Sequence, residues 1–210
     1  MKIVSTDLET TGLDEECCQI IEIGAVIEDT DNPQPLANLK RFHCYVLHDI
    51  YQGEPYALGM HPIIFNRIAK REKPYQYLKP YEVAVEFPKF LKLYLPGQDK
   101  YTMMGKNFAS FDLKFFRANP YLKPITKLFH HRCLDLGSIW VDWSKDVVLP
   151  STEECLKRAG LPCTVSHTAI DDALQIISLL RASRAMEVKN DSSVKVLPPK
   201  PEPIKRPRCD

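Results

Sequence analysis

Two acidic residues near the amino end, Asp7 and Glu9, have the spacing of a cation-binding pair on a β-strand. They follow an apolar stretch that ends at Thr6 and come just before a turn at Gly12. Side chains two residues apart on a strand point to the same face, so both carboxylates can hold a divalent metal over a substrate phosphate. An isolated pair of this kind is more often only a solvated strand edge. Whether Asp7 and Glu9 form a metal site therefore depends on the other acidic residues of the chain.

Two further acidic residues lie far downstream, each in a setting of its own. Asp112 ends a segment that begins at Gly105 and runs from a loop into a helix, and Asp172 lies five residues after His167. Phosphodiester hydrolysis needs an activated water, neutralisation of the charge on the phosphate and help for the departing oxygen, which two metal ions about 4 Å apart supply together. Four acids and one histidine therefore indicate metal-assisted phosphodiester cleavage.

The two adjacent aspartates, Asp171 and Asp172, are distinguished by their positions on the predicted helix. At about 100° per residue, the apolar side chains centre on one side of this helix, and Asp172 flanks that side while Asp171 points away. The apolar set consists of Ala173, Leu174, Ile176, Ile177 and Leu180. Asp172 is therefore the predicted metal ligand of the two.

The overall composition is that of an ordinary globular protein. Of 210 residues, 44% are hydrophobic and 26% charged, and the net charge of +1 gives no global field for gripping a long polyanion. Seven cysteines without zinc-finger spacing indicate reduced thiols. No apolar run of about eighteen residues occurs, so we expect no membrane contact and a cytoplasmic or otherwise intracellular protein that is not secreted.

The predicted elements form one α/β domain over residues 1–186. Strands are predicted at residues 2–6, 19–27 and 40–47, with short links that favour an antiparallel meander, and two more at residues 101–105 and 133–136. Helices are predicted at residues 63–71, 81–95, 112–117, 152–159 and 168 to about 186. We therefore expect a five-stranded mixed sheet flanked by helices, with its first three strands antiparallel.

Residues 187–210 differ sharply in composition from the rest of the chain. Prolines alternate there with lysines and arginines, and such a segment cannot bury enough apolar surface to offset its chain entropy. We expect a disordered, Pro-rich basic tail. A solvated terminus is the simplest interpretation, and a polyproline-type ligand or a weak nucleic-acid tether is the alternative.

Three segments together resemble the DEDDh group of 3′-to-5′ exonucleases, the ribonuclease-H-like family that includes polymerase proofreading subunits and oligoribonucleases. Residues 7–13 resemble the first family motif, and residues 21–25 the strand that usually follows it. Residues 105–112 resemble the second motif, and residues 167–174 the third, including the step from histidine to aspartate. The motifs occur in the family's order. The resemblance implies a ribonuclease-H-like fold.

The resemblance also implies a role for each matching catalytic residue. Asp7, Glu9, Asp112 and Asp172 would bind two divalent ions, Mg²⁺ or Mn²⁺, and His167 would be the general base that takes a proton from the attacking water. A histidine suits this step because its unperturbed pKa of about 6.5 lies near working pH.

Substrate contacts are implied in the same way. Thr10, through its backbone, and Leu13, as an apolar wedge, would contact the terminal nucleotide, and Asn107 would contact the substrate or brace the second motif. Lys106 departs from the family, since many relatives have histidine there; it either contacts a phosphate or is solvated. The implied substrates are single-stranded or frayed 3′ ends of DNA or RNA, and the implied products are nucleoside 5′-monophosphates.

Two other functions remain open from the sequence. One is a non-catalytic nucleic-acid-binding module that keeps the fold, and the other is a metal-dependent endonuclease of the same fold. The sequence also leaves open the choice between DNA and RNA, a polymerase or other protein partner, and a homodimer.

Overall fold

The computed structural model describes residues 1–163 and 168–191, with side chains up to residue 186. Six strands form one sheet: β1 (Lys2–Thr10), β2 (Ile20–Asp29), β3 (Arg41–Val46), β4 (Tyr77–Leu78), β5 (Met103–Gly105) and β6 (Leu134–Asp135). Their order across the sheet is β4-β3-β2-β1-β5-β6. The strand that carries the first two acids is therefore central.

The strand pairing is mixed, as the sequence predicts. β1 pairs with β2 and β2 with β3 in antiparallel fashion, whereas β5 is parallel to β1 and β6 is parallel to β5. The short links between the first three strands allow a meander, while the later strands return through helical connections. The α/β class, the flanking helices and the antiparallel first three strands are confirmed.

The sheet has six strands and not the predicted five. The additional strand, β4, lies parallel to β3 with Tyr77 opposite Tyr45. It has two residues between Pro74 and Pro80, which is too short for an alternating pattern to be seen in the sequence. β1 is also longer than predicted and continues through Asp7 and Glu9 to Thr10, because β2 pairs with it along that length.

Seven α-helices cover the sheet in the part of the chain that the structure describes. They are α1 (Pro55–Met60), α2 (Pro62–Lys70), α3 (Pro80–Tyr94), α4 (Asp112–Ala118), α5 (Leu136–Ile139), α6 (Thr152–Ala159) and α7 (Ala169–Asp191). α7 continues beyond its predicted end near residue 186, since no glycine or proline interrupts the sequence before Pro198. The predicted tail beyond residue 191 lies outside the described residues.

The two faces of the sheet pack against different helices. One face buries Val4, Leu8 and Phe42 with the aromatic residues of α3, among them Phe87. The other face packs against α7: Ile3 lies in one cluster with Ile176, and Val26 lies in another with Ile177. Alternation along β1 therefore sends its even-numbered side chains towards α3 and its odd-numbered side chains towards α7.

Among residues 1–163 and 168–191, no helix combines the length and the hydropathy that crossing a membrane would require. The six described cysteines are free thiols.

Candidate active site

Asp7 and Glu9 project from the face of β1 that packs against α7. Further back along the same face, the Ser5 hydroxyl donates a hydrogen bond of 2.8 Å to the carbonyl of Ala173 in α7. This contact fixes the helix against the strand in the buried part of the interface. Asp7 and Glu9 follow at the end of the strand, where both side chains become partly accessible.

Three of the predicted metal ligands come together at this point. Asp7, Glu9 and Asp172 each offer a carboxylate oxygen, and these three oxygens lie within 4.8 Å of one another. Asp172 is partly buried near the start of α7, whereas Asp171 is exposed and accepts a hydrogen bond of 2.7 Å from the Thr168 hydroxyl. The helix thus orients these two aspartates in the directions that its periodicity predicts.

Asp112, the fourth predicted ligand, lies beside this group but is not one of the three clustered carboxylates. It is the first residue of α4 and is buried, and backbone amides of Leu8 and of Asp112 itself donate hydrogen bonds to its carboxylate. Its charge raises the pKa of both Asp7 and Glu9, which places it within electrostatic range of the cluster.

The acids raise one another's pKa values because they share a poorly solvated site. Burial, followed by repulsion from Glu22, Asp172 and Asp112, raises the pKa of Glu9 to about 8. Burial also raises the pKa of Asp112 to about 8 and that of Asp7 well above its usual range. Hard divalent cations prefer such carboxylate oxygens, and a bound cation would offset the repulsion between them. The residues present therefore fit a divalent metal.

A cleft of about 230 Å³ opens beside Glu9. Leu13 and Tyr56 lie on its rim with 75% and 79% of their surface exposed, and Phe111 contributes a further apolar wall. Large apolar side chains held this far out of a core are available to a ligand. The cleft thus places apolar surface next to the acidic cluster.

The first motif builds this cleft through its turn. The Thr10 hydroxyl is buried and donates a 2.7 Å hydrogen bond to the carbonyl of Gly12. The backbone amide of Leu13 donates to Glu54 Oε1 at 3.1 Å, which ties the turn to the segment before α1. Thr10 thus shapes the turn with its side chain, and Leu13 is left exposed.

The second motif is braced by Asp135, which lies outside all three motifs. Asn107 adopts a left-handed backbone conformation with φ of 61°, and its amide donates a 2.8 Å hydrogen bond to Asp135 Oδ2. Asp135 also accepts from the Ser138 amide and caps α5. Lys106 Nζ donates to the carbonyl of Pro150 at 2.6 Å, so it braces a loop and is not simply solvated.

His167, the predicted general base, lies outside the described residues, as do residues 164–166. The structure does describe the residues on either side of this segment. Thr168 follows it immediately and leads into α7, four residues before Asp172.

One histidine at the site is not predicted from the sequence. His61 is buried between α1 and α2, and its Nε2 lies 3.6 Å from Glu9 Oε2. Its only sequence signal is its place before Pro62 at the start of a helix, which many structural histidines share. Glu22 is buried on β2, where it pairs with Glu9 of β1. It is not predicted either, because in the sequence it is one polar residue in an apolar strand.

Comparison with known proteins agrees with this architecture. The family model described as Exonuclease (RNase_T) matches residues 4–180. The oligoribonuclease of Neisseria meningitidis serogroup B is 25% identical over 191 residues, which are 85% of this chain and 88% of that protein.

Solved structures of other nucleases share the fold. The nuclease domain of 3′hExo, a DEDDh family member bound to rAMP, has a TM-score of 0.60 at 16% identity and matches 89% of this chain and 92% of that one. Escherichia coli exonuclease I with a dT13 oligonucleotide has a TM-score of 0.60 at 17% identity and matches 90% of this chain. The chain spans 64% of the length of the cell-death related nuclease CRN-4 and 42% of the length of exonuclease I.

The fold and the family match define a nuclease that acts on nucleic-acid ends. The chain belongs to the exonuclease family, whose model matches residues 4–180. Exonucleases of the DEDDh group generally work with divalent metal ions.

Proposed function

We propose that this chain removes nucleotides one at a time from the 3′ ends of single-stranded or frayed DNA or RNA and releases nucleoside 5′-monophosphates. The observation that carries the proposal is the meeting of three carboxylate oxygens within 4.8 Å, beside a cleft with an exposed apolar rim. The acids suit the reacting phosphate, and the rim suits the terminal base.

Asp7, Glu9 and Asp172 would hold two Mg²⁺ or Mn²⁺ ions together with the neighbouring Asp112. The ions would supply charge neutralisation at the phosphate and a more acidic water. His167, the residue before Thr168 in the sequence, would accept the proton of that water. Asp135 would keep Asn107 in position at the second motif.

The cleft would hold the terminal nucleotide. Leu13 would act as an apolar wedge beside the last base, and the backbone near Thr10 would contact the sugar. Tyr56 lines the same cleft as Leu13, and a base accommodated there would gain roughly 1–3 kcal/mol from an aromatic neighbour. The rings of Tyr75 and Tyr77 both pack against Tyr45, so these two tyrosines are less suited than Tyr56 to stack on a base.

Two features of the wider protein belong to the same proposal. The catalytic domain would comprise residues 1–186 and the continuation of α7 to Asp191, and the basic segment beyond residue 191 would be a separate tail. The protein would act inside the cell, a location that suits the free thiols of the six described cysteines.

Digestion of matched 5′-labelled DNA and RNA strands, with and without Mg²⁺, tests the proposal. We expect a ladder that shortens from the 3′ end, that requires metal, and that is lost in Asp7→Asn but kept in the matched surface variant Asp171→Asn. A terminal 3′ phosphate should slow the reaction; unaffected cleavage would favour an endonuclease. Binding without metal-dependent release of mononucleotides would favour a non-catalytic module.

A further inference from the structure

We infer that Glu22, together with His43, is a positioning residue that fixes the amino end of α7 and thereby the metal ligand Asp172. This inference rests on the proposed function. Glu22 lies outside the acidic cluster and outside the cleft, but it connects the strand next to β1 with the helix that carries Asp172.

The side chain of Glu22 is fully buried and makes contacts with both of its oxygens. Oε1 lies 2.6 Å from His43 Nε2, and Oε2 accepts a hydrogen bond of 3.3 Å from the backbone amide of Ala169, the first residue of α7. A carboxylate has no hydrogen to donate, so the ring nitrogen of His43 is the donor. The first amides of a helix lack partners within the helix and favour negative charge. Glu22 therefore holds the start of α7 against β2.

Gly24 brings the same helix end close to the same strand. A Cβ atom at position 24 would lie 2.3 Å from the carbonyl carbon and oxygen of Ala169, a distance that backbone atoms do not tolerate. Glycine is thus required at this position for the close approach of strand and helix. Gly24 and Glu22 face α7 from the same side of β2, and both contact Ala169.

The position of Asp172 follows from this anchor. Asp172 lies less than one turn after Ala169, so a shift of the helix end moves its carboxylate relative to Asp7 and Glu9 on β1. Burying an acidic side chain close to Asp7 and Glu9 is costly, and the contacts with His43 and Ala169 offset part of that cost.

The chain offers a matched control at the other end of the same interface. Glu28 is also buried on β2 and also holds α7, because its two oxygens bind Arg181 at 2.6 Å and 3.2 Å. Glu28 lies far along the strand from the acidic cluster. Glu28→Gln and Glu22→Gln therefore remove the same charge from the same strand and loosen the same helix, at opposite ends.

The test compares the full-length wild-type protein with Glu22→Gln, Glu28→Gln and Gly24→Ala. Urea unfolding, Mn²⁺ affinity by electron paramagnetic resonance, and kcat and KM on a single strand are measured for each. We expect Glu22→Gln and Glu28→Gln to lose similar stability, while only Glu22→Gln weakens Mn²⁺ binding and kcat, by about 10–100-fold with KM little changed. Gly24→Ala keeps every charge and should reproduce the effect of Glu22→Gln.

Three outcomes would decide against the inference. Equal Mn²⁺ affinity and kcat in Glu22→Gln and Glu28→Gln would make Glu22 merely structural, and a loss confined to KM would assign it to substrate binding. If Glu22→Gln fails to fold, His43→Gln, which keeps a donor, and His43→Leu, which has none, are compared instead; equal kcat in these two would overturn it. An inactive wild type would contradict the proposed function and not this inference.

Discussion

Glu9 lies directly opposite Glu22 across the antiparallel β1–β2 pair. Like charges in such positions repel, and here both side chains are withdrawn from water to a large degree. Burial and the charge of Glu22 are the two largest causes that raise the pKa of Glu9 to about 8. The site is therefore strained electrostatically until a cation or protons neutralise it.

This repulsion makes the stability of the metal-free protein depend on pH. The folded-state pKa of Glu9, about 8, lies above its usual 4.5, so the folded protein binds more protons than the unfolded chain between these values. Stability is then full at low pH and is lost as pH rises through the folded-state pKa. We expect Tm in EDTA to fall between about pH 5 and about pH 8.5, with Glu9 contributing at most roughly 5 kcal/mol.

Thermal unfolding with and without metal checks this expectation. Mg²⁺ or Mn²⁺ should raise Tm most at high pH, where the carboxylates are ionised. Glu9→Gln is the control, because it keeps the shape of the side chain and removes its titration; its Tm should depend less on pH. A wild-type Tm that rises steadily over the same range in EDTA would contradict the prediction.

Asp172→Ala and Asp171→Ala should have opposite consequences. Loss of a residue that only orients a metal ligand costs about 10–100-fold in metal affinity or activity, so loss of the ligand Asp172 itself should cost more than about 100-fold. Asp171 is exposed and bonds only Thr168 among the contacts described above, so its removal should cost about 0.5–1 kcal/mol of stability and leave nuclease activity nearly intact. Nuclease assays and urea unfolding measure the two effects. The reverse pattern would refute the assignment.

Much of this site is predictable from the sequence because its geometry is local. The two-residue period of β1 places Asp7 and Glu9 on one face, and the helical period separates Asp172 from Asp171. Contacts between different strands and helices are harder to predict from the sequence, because pairing across the sheet joins residues that are far apart in the chain. Glu22 and His43 read as polar residues in apolar strands until the β2–β3 pairing brings them together.

The residues that line the cleft are also only partly predictable from the sequence. The first motif contains Leu13, but other residues that line the cleft come from α1 and from His61, which follows it, and His61 carries no strong local pattern. β4 is missed for a related reason: its two residues gain their strand conformation from β3 and not from their own sequence.

Leu13→Ala and Tyr56→Ala should weaken substrate binding without weakening the fold. Both side chains are largely exposed, so their truncation should change the free energy of unfolding by no more than about 0.5 kcal/mol. KM for a single strand should rise several-fold while Mn²⁺ affinity stays constant. Leu93→Ala is the matched control, since Leu93 is 68% exposed on α3 and lines no part of the cleft. Unchanged KM in both cleft variants would remove the cleft from the substrate site.

His61→Gln should lower activity through Glu9. The Nε2 atom of His61 lies 3.6 Å from Glu9 Oε2, and the imidazole is buried against the cleft, so it restricts the rotation of that carboxylate. Glutamine keeps a polar end but not the rigid ring, and we expect weaker Mn²⁺ binding and a several-fold lower kcat. His48→Gln is the control, because His48 Nε2 contacts the carbonyl of Ile20 at 2.8 Å and no metal ligand in the described chain. If both variants bind Mn²⁺ as the wild type does, His61 only packs the start of α2.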